Sequence, residues 1–312
     1  MKNKIIAIMA IIISLNSCNQ TKKPKKQMEE IVQELQKQIH KYKQRPIYTA
    51  QVDKTGCRIY IELKDNIDYG FTENNGESMN LPLNFFITKS GKQTAIIKVY
   101  PKEGDLYITK YAMVNISFYY APDKDSKMDE YQVIQKYSLP EGLESKKLPY
   151  YEEKVTFDVT VPFDYSKILD NAQDLTKVSE IDDKIVNKYN EMRKIIQDLD
   201  QLKYEKNKIF FSTRVFESSY EVNEDEIRTA VTDTLNIFNP SLQNREMLPI
   251  QNYRVQYYAG GKIVALWNIQ NLECALRLKG KFKKKDGKIM DYEVSDVLFL
   301  YMPLGSNELK VW

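Results

Sequence analysis

The side chains that most often carry chemistry are sparse in this sequence. Its 312 residues hold one histidine, His40, and three cysteines, Cys18, Cys57 and Cys274. A His-rich or four-Cys zinc site needs more such ligands than the chain has, so no metal is expected. A Ser-His-Asp triad would have to recruit His40 from an amino-terminal helix. No Gly-x-Ser-x-Gly elbow, Walker loop or Gly-x-Gly-x-x-Gly turn occurs to place a nucleophile or cradle a cofactor. Carboxylates do cluster, at Asp182-Asp183 and Glu224-Asp225-Glu226. Both groups fall at helix starts, where acidic side chains offset the helix dipole. Neither catalytic residues nor a cofactor are therefore expected. Tyrosine, by contrast, is abundant, with 22 copies. Tyrosine offers rigid contact area at low entropic cost, and Tyr189, Tyr253 and Tyr257 with Trp267 are the candidate binding residues. Cys57 and Cys274 lie in strand-like stretches, either as buried thiols or, in an oxidising compartment, as a bridge.

The amino terminus says more. Lys2 and Lys4 precede an apolar run from Ile5 to Leu15. That is the build of a secretion signal, since a bilayer-spanning helix needs roughly twenty apolar residues. The run ends in Leu15-Asn16-Ser17-Cys18, which resembles the lipobox of bacterial lipoproteins, with Leu three residues before Cys and a small residue directly before it. The resemblance implies that residues 1–17 are removed and that Cys18 is lipidated and anchors the chain to a membrane. Two or three acyl chains hold a protein stably where one holds it marginally. Asn19 in place of Asp, by likeness to the sorting rule of enteric bacteria, implies the outer membrane facing the periplasm, with the cell surface left open.

Residues 18–26 read as a basic tether, and residues 27–45 as an amphipathic helix. Met28, Ile31, Val32, Leu35, Ile39 and Tyr42 form one stripe of it. Packing on the chain's own domain is the first reading, a partner-binding or membrane-lying face the second. The formal charge of +3 hides an asymmetry. Residues 19–45 hold eight basic side chains against three acidic ones, whereas the rest of the mature chain is mildly acidic. Neither this balance nor an exported address suits a nucleic-acid partner.

From residue 46 to 163 the period changes to two. Ile59, Ile61 and Leu63 alternate with Arg58, Tyr60 and Glu62, and Val155, Phe157, Val159 and Val161 alternate with polar neighbours. Such half-buried strands, joined by turns at Gly56, Gly91 and Gly104, predict an antiparallel β-sandwich. The polar stretch 164–178 reads as a boundary. Helices then follow, one capped by Ser179 with Asp182, one over 202–211 and one opened by Asn223 with Glu226. Beyond Pro249 strands return. Asp286-Gly287 marks a hairpin, and its lysines, Lys279 to Lys288, read as a solvated edge that blocks strand pairing.

The fold class is thus α+β. In element order residues 179–312 resemble the nuclear-transport-factor-two-like cone, in which a curved sheet wraps a long helix and a ligand can enter the sheet's mouth. The whole is similar to immunity-type envelope lipoproteins, which bind and neutralise a toxin. A non-catalytic binding or protective role with a protein partner is the expectation. A small-molecule binder or hydrolase using the cone mouth, and a structural spacer, are the alternatives.

Overall fold

The computed structural model describes residues 22–63, 68–71, 76–232, 236–239, 241–269, 273–284 and 286–312. The expected signal segment, the lipobox-like stretch and Cys18 lie outside them. In chain order the first elements are α1 (Lys22–Gln38), β1 (Ile47–Thr55), β2 (Cys57–Leu63), β3 (Asp68–Phe71), β4 (Glu77–Pro82), β5 (Gly91–Pro101), β6 (Met113–Ala121), β7 (Gln132–Ser138) and β8 (Tyr151–Val159). Then come α2 (Ser166–Asp170), α3 (Ile181–Gln197), α4 (Gln201–Ser219), α5 (Glu224–Thr232), β9 (Gln243–Met247), β10 (Tyr253–Tyr258) and β11 (Ile263–Asn268). The chain closes with β12 (Leu276–Lys283), β13 (Ile289–Asp296), β14 (Leu300–Tyr301) and β15 (Lys310–Val311). Helices and antiparallel sheets are both present, as the α+β class requires.

Two four-stranded sheets, ordered β4-β1-β6-β7 and β3-β2-β5-β8, share one apolar core. Phe118 and Phe157 meet across it with ring centroids 4.8 Å apart. The alternation works as expected on the inner faces, where Ile59, Ile61, Leu63, Val155, Phe157 and Val159 are buried. It fails at Tyr60. Its outward-facing ring is buried because Trp267 packs edge-on against it at 5.9 Å and Gly70 beneath it has no side chain. A Cβ on Gly70 would meet the ring at 2.6 Å.

The remaining strands form sheets ordered β10-β11-β14-β15 and β13-β12-β9. They are linked where Ala275 donates to the Leu266 carbonyl at 3.1 Å. β11 is buried along Ile263–Trp267 because both of its faces are covered. Ile263, Ala265 and Trp267 join the core of the first two sheets, whereas Val264 and Leu266 join a second core under α3. The stretch 164–178 is packed as well, with Leu169, Ala172 and Leu175 buried and Gln173 donating to the Met302 carbonyl.

α1 starts at Lys22, inside the stretch expected as a tether, with Pro24 in its first turn, where a missing N–H costs no helical bond. It ends after Gln38 because the His40 N–H donates to Glu217 instead of continuing the ladder. Its stripe of Ile31, Val32, Leu35 and Ile39 is buried against Phe216, Ile227 and Val231, so it packs on its own chain. Ser179 does not cap α3. Glu180, in the left-handed region at φ 55°, precedes the helix without a side-chain cap bond. Asn223 does cap α5, accepting from the Asp225 N–H at 2.9 Å. The second helix runs well past Phe211, to a left-handed Tyr220 at φ 58°.

Candidate functional site

The four candidate aromatic residues do not share one wall. Tyr189, on α3, is buried under the β10–β11 sheet, its hydroxyl accepting from the Leu266 N–H at 2.8 Å and donating to the Leu298 carbonyl. Burial pushes that hydroxyl's pKa up. Tyr253 and Tyr257 pack on the same core, half-buried. Trp267 lies on the opposite face, in the core of the first two sheets, where its Nε1 donates to the Tyr258 hydroxyl at 2.8 Å. A cleft of about 190 Å³ opens elsewhere, lined by Gln36, Ile39, Lys41, Val222, Glu224 and Ile227.

The buried polar groups gather on α4. Of the nine buried polar or charged side chains among the described residues, six belong to it: Glu205, Lys208, Thr213, Arg214, Glu217 and Ser218. At its start, Lys208 Nζ donates to the Tyr204 hydroxyl at 2.8 Å and lies 3.2 Å from Asp296 on β13. Tyr204 donates to the same carboxylate. Burial pushes the Glu205 carboxyl up to about 7, against the pull of Lys208. In the middle, Arg214 is fully buried. Its guanidinium sits 4.1 Å from the Trp312 ring and 5.1 Å from those of Phe85 and Tyr165. Burial draws its pKa down to about 10, so it remains charged near neutrality. At the end of α4, Glu217 accepts from the Tyr165 hydroxyl and from the His40 N–H, each at 2.8 Å, and meets His40 Nδ1 at the same distance.

Asp296 and Glu217 each accept from protein donors, so the column ties α1, the approach to α2 and β13 to one central helix. His40, the one histidine, is a member of that tie. Cys57 and Cys274 carry free buried thiols, and burial raises them to about 11 and about 12. Among the described residues no three His, Cys, Asp or Glu side chains group as metal ligands, and no helix is long and apolar enough to cross a membrane.

The surface feature with the chemistry of recognition is the β5–β6 connection, residues 102–112, and its flanks. Leu106 is 77% exposed, Tyr107 43%, Tyr111 71% and Met113 46%. Tyr150 lies beside Tyr100 of β5, with ring centroids 5.0 Å apart, and is exposed too. The loop is nonetheless held. Ile108 is buried and its N–H donates to the Leu148 carbonyl at 2.9 Å. Gly56, at φ 66°, lets the loop backbone rest on the β1–β2 turn, where a Cβ would meet the Tyr111 carbonyl oxygen at 2.3 Å. Lys102, Glu103, Asp105 and Lys110 give it a mixed rim, and Lys110 Nζ lies 5.2 Å from the Tyr111 ring.

None of this patch is among the four binding candidates drawn from the sequence. The available signal was four large apolar residues in a turn-rich stretch between two strands, where no core requires them. Comparison with protein-family models, with curated protein sequences and with solved structures finds no match for this chain.

Proposed function

We propose that the chain is a bacterial envelope lipoprotein, anchored through lipid on Cys18, that acts as a non-catalytic binding or protective protein of the immunity type. The lipobox Leu15-Asn16-Ser17-Cys18 at the end of a short apolar run supports the anchor and the envelope address. In this reading the first two sheets are a β-sandwich, and α3 with the sheets around it is the cone-like unit.

The observation that carries the binding reading is the held, exposed patch of Leu106, Tyr107, Tyr111 and Met113. Aromatic and Met side chains ringed by mixed charge have the composition of a protein–protein interface core and rim. A loop fixed by buried Ile108 and by Gly56 presents them without an ordering cost on binding.

Site-specific photo-crosslinking in the producing cell tests this. A photoreactive residue in place of Tyr111 is expected to give one discrete protein adduct, and one in place of exposed Lys92 none. Equal labelling from both positions, or none from the loop position, contradicts the reading. For the anchor, Cys18→Ser is expected to move the protein out of the membrane fraction. A variant that stays there removes the anchor from the account.

A further inference from the structure

We infer that the β12–β13 hairpin is a second membrane contact, a basic finger that enters the headgroup layer of an anionic leaflet. The inference rests on the reading that Cys18 carries lipid. Between Lys279 and Asp291 the sequence holds six lysines and two aspartates. Blocking of edge pairing does not account for them. Lys279 and Lys281 sit on β12, the central strand of its sheet, paired with β13 on one side and β9 on the other.

The apolar residues among these lysines are the second observation. Leu276, Leu278 and Gly280 face the core, with Gly280 so close to Leu242 that a Cβ would meet it at 2.6 Å. Phe282 continues that stripe past the end of the core, paired with Met290, and is exposed. On the other face Ile289, paired with Lys283, is 56% exposed. The tip thus shows one large apolar side chain on each face, flanked by Lys281, Lys283, Lys284 and Lys288. Apolar tips with lysines able to reach the phosphates suit a charged lipid interface.

Position is the third. Only three residues separate Cys18 from the start of α1 at Lys22, so the helix begins within roughly 15 Å of a lipidated cysteine. The first half of α1 packs beside α5, through Glu29 with Arg228 at 2.6 Å, and beside the start of α4 at Leu202. Gln201 reaches the Val231 carbonyl. Arg245, on β9, donates to the carbonyls of Ile196 at the end of α3 and of Ile237. Gln243 on β9 pairs with Lys281 at the base of the finger. These contacts put the finger at the same end of the molecule as the start of α1. Exposed Leu199, in the α3–α4 turn, lies at that end too.

A tryptophan reporter tests the inference in the whole chain. Trp267 and Trp312 are buried, so Phe282→Trp adds an exposed fluorophore that can be read against the parent. In vesicles of mixed phosphatidylcholine and phosphatidylglycerol, its emission is expected to shift to the blue and be quenched by lipids brominated on their chains. In pure phosphatidylcholine it is expected to stay open to aqueous iodide. Reversing Lys281, Lys283, Lys284 and Lys288 to Glu is expected to lower vesicle association of the Cys18→Ser chain about tenfold or more. Gln at the same positions is expected to lower it less.

If the reporter of Phe282→Trp stays in water while the intact chain sediments with vesicles and Cys18→Ser does not, the finger is overturned and the lipid anchor stands. If Cys18→Ser associates as well as the intact chain and the brominated lipid quenches the reporter, the finger stands and the anchor falls.

Discussion

The β5–β6 loop and the β12–β13 hairpin both expose large apolar side chains, in different electrostatic company. The loop carries two lysines and two acids around Leu106, Tyr107 and Tyr111, and buried Ile108 pins it to the body. The hairpin carries lysines in excess around Phe282 and Ile289 and runs off the end of its core. Apolar exposure alone does not say what a surface binds. Mixed charge on a rigid loop fits one complementary protein, whereas an excess of positive charge on an overhanging finger fits an extended anionic layer. The loop lies at the far end of β1 from its junction with α1, and the chain of contacts from α1 through α5, α4 and β9 leads to the base of the hairpin. That arrangement suits the proposed tethered binder, with one surface for a membrane and another for a partner.

α4 ties the segment after α1, the approach to α2 and β13 together, so the largest effect is expected from cutting it. Glu217→Leu leaves the Tyr165 hydroxyl and the His40 N–H without their acceptor and Arg214 without a neighbouring negative charge. It is expected to cost about 3–5 kcal/mol in denaturant unfolding. Both ends should weaken together, and loss of only one would show that they are independent units.

Next comes the loop. Leu106→Glu with Tyr111→Glu is expected to lower partner affinity by about 2 kcal/mol or more, roughly thirtyfold, in a titration. Thermal stability should change little, since both side chains are exposed. Vesicle association should be untouched, and a fall in it would erase the contrast between the ends.

A pH effect of similar or smaller size marks the hairpin end. With the Glu205 carboxyl raised to about 7 by burial, the folded state holds a proton that the unfolded chain releases near its ordinary value. Its stabilising contribution is therefore complete below about pH 4.5 and is lost as pH rises to about 7, on the order of 1–3 kcal/mol. Glu205→Gln is expected to flatten that slope in unfolding curves taken between pH 4.5 and 8. An unchanged slope would place the titration elsewhere.

The smallest effects are local. Cys57 Sγ lies 3.8 Å from the Met113 carbonyl under the loop, and Cys274 leads into β12. With both thiols raised by burial, native alkylation near pH 8 is expected to be about a hundredfold slower than after unfolding. The two rates, followed by mass spectrometry, report the opening of each end separately. A rapidly labelled native Cys57 would mean the loop is not held.

Much of this framework was legible in the sequence. The period-two runs at Ile59–Leu63 and Val155–Val159 became strands with buried inner faces, and the α1 stripe became a packed helix face. Asp286-Gly287 became a hairpin turn, with Gly287 at φ 84°.

What was not legible depended on contacts distant in sequence. The second helix was expected over 202–211, short of the buried Thr213, Arg214, Glu217 and Ser218. Arg214 is buried because the rings of Phe85 and Trp312, distant in sequence, close around it, and Glu217 is held by Tyr165 and His40. Tyr60 was placed on a polar face because Trp267, far along the chain, gives no local sign. The binding candidates failed to converge for a simpler reason. Trp267 and Leu266 are neighbours on one strand, so they face opposite cores.

Lipid quenching read from both ends at once tests the central claim most directly. Tyr111→Trp and Phe282→Trp, made separately in the intact chain and reconstituted in vesicles containing phosphatidylglycerol, carry the reporter to the loop and to the finger. The account predicts that brominated lipid quenches the finger reporter and leaves the loop reporter open to aqueous iodide. Quenching of the loop reporter instead, or equal quenching of both, would contradict it.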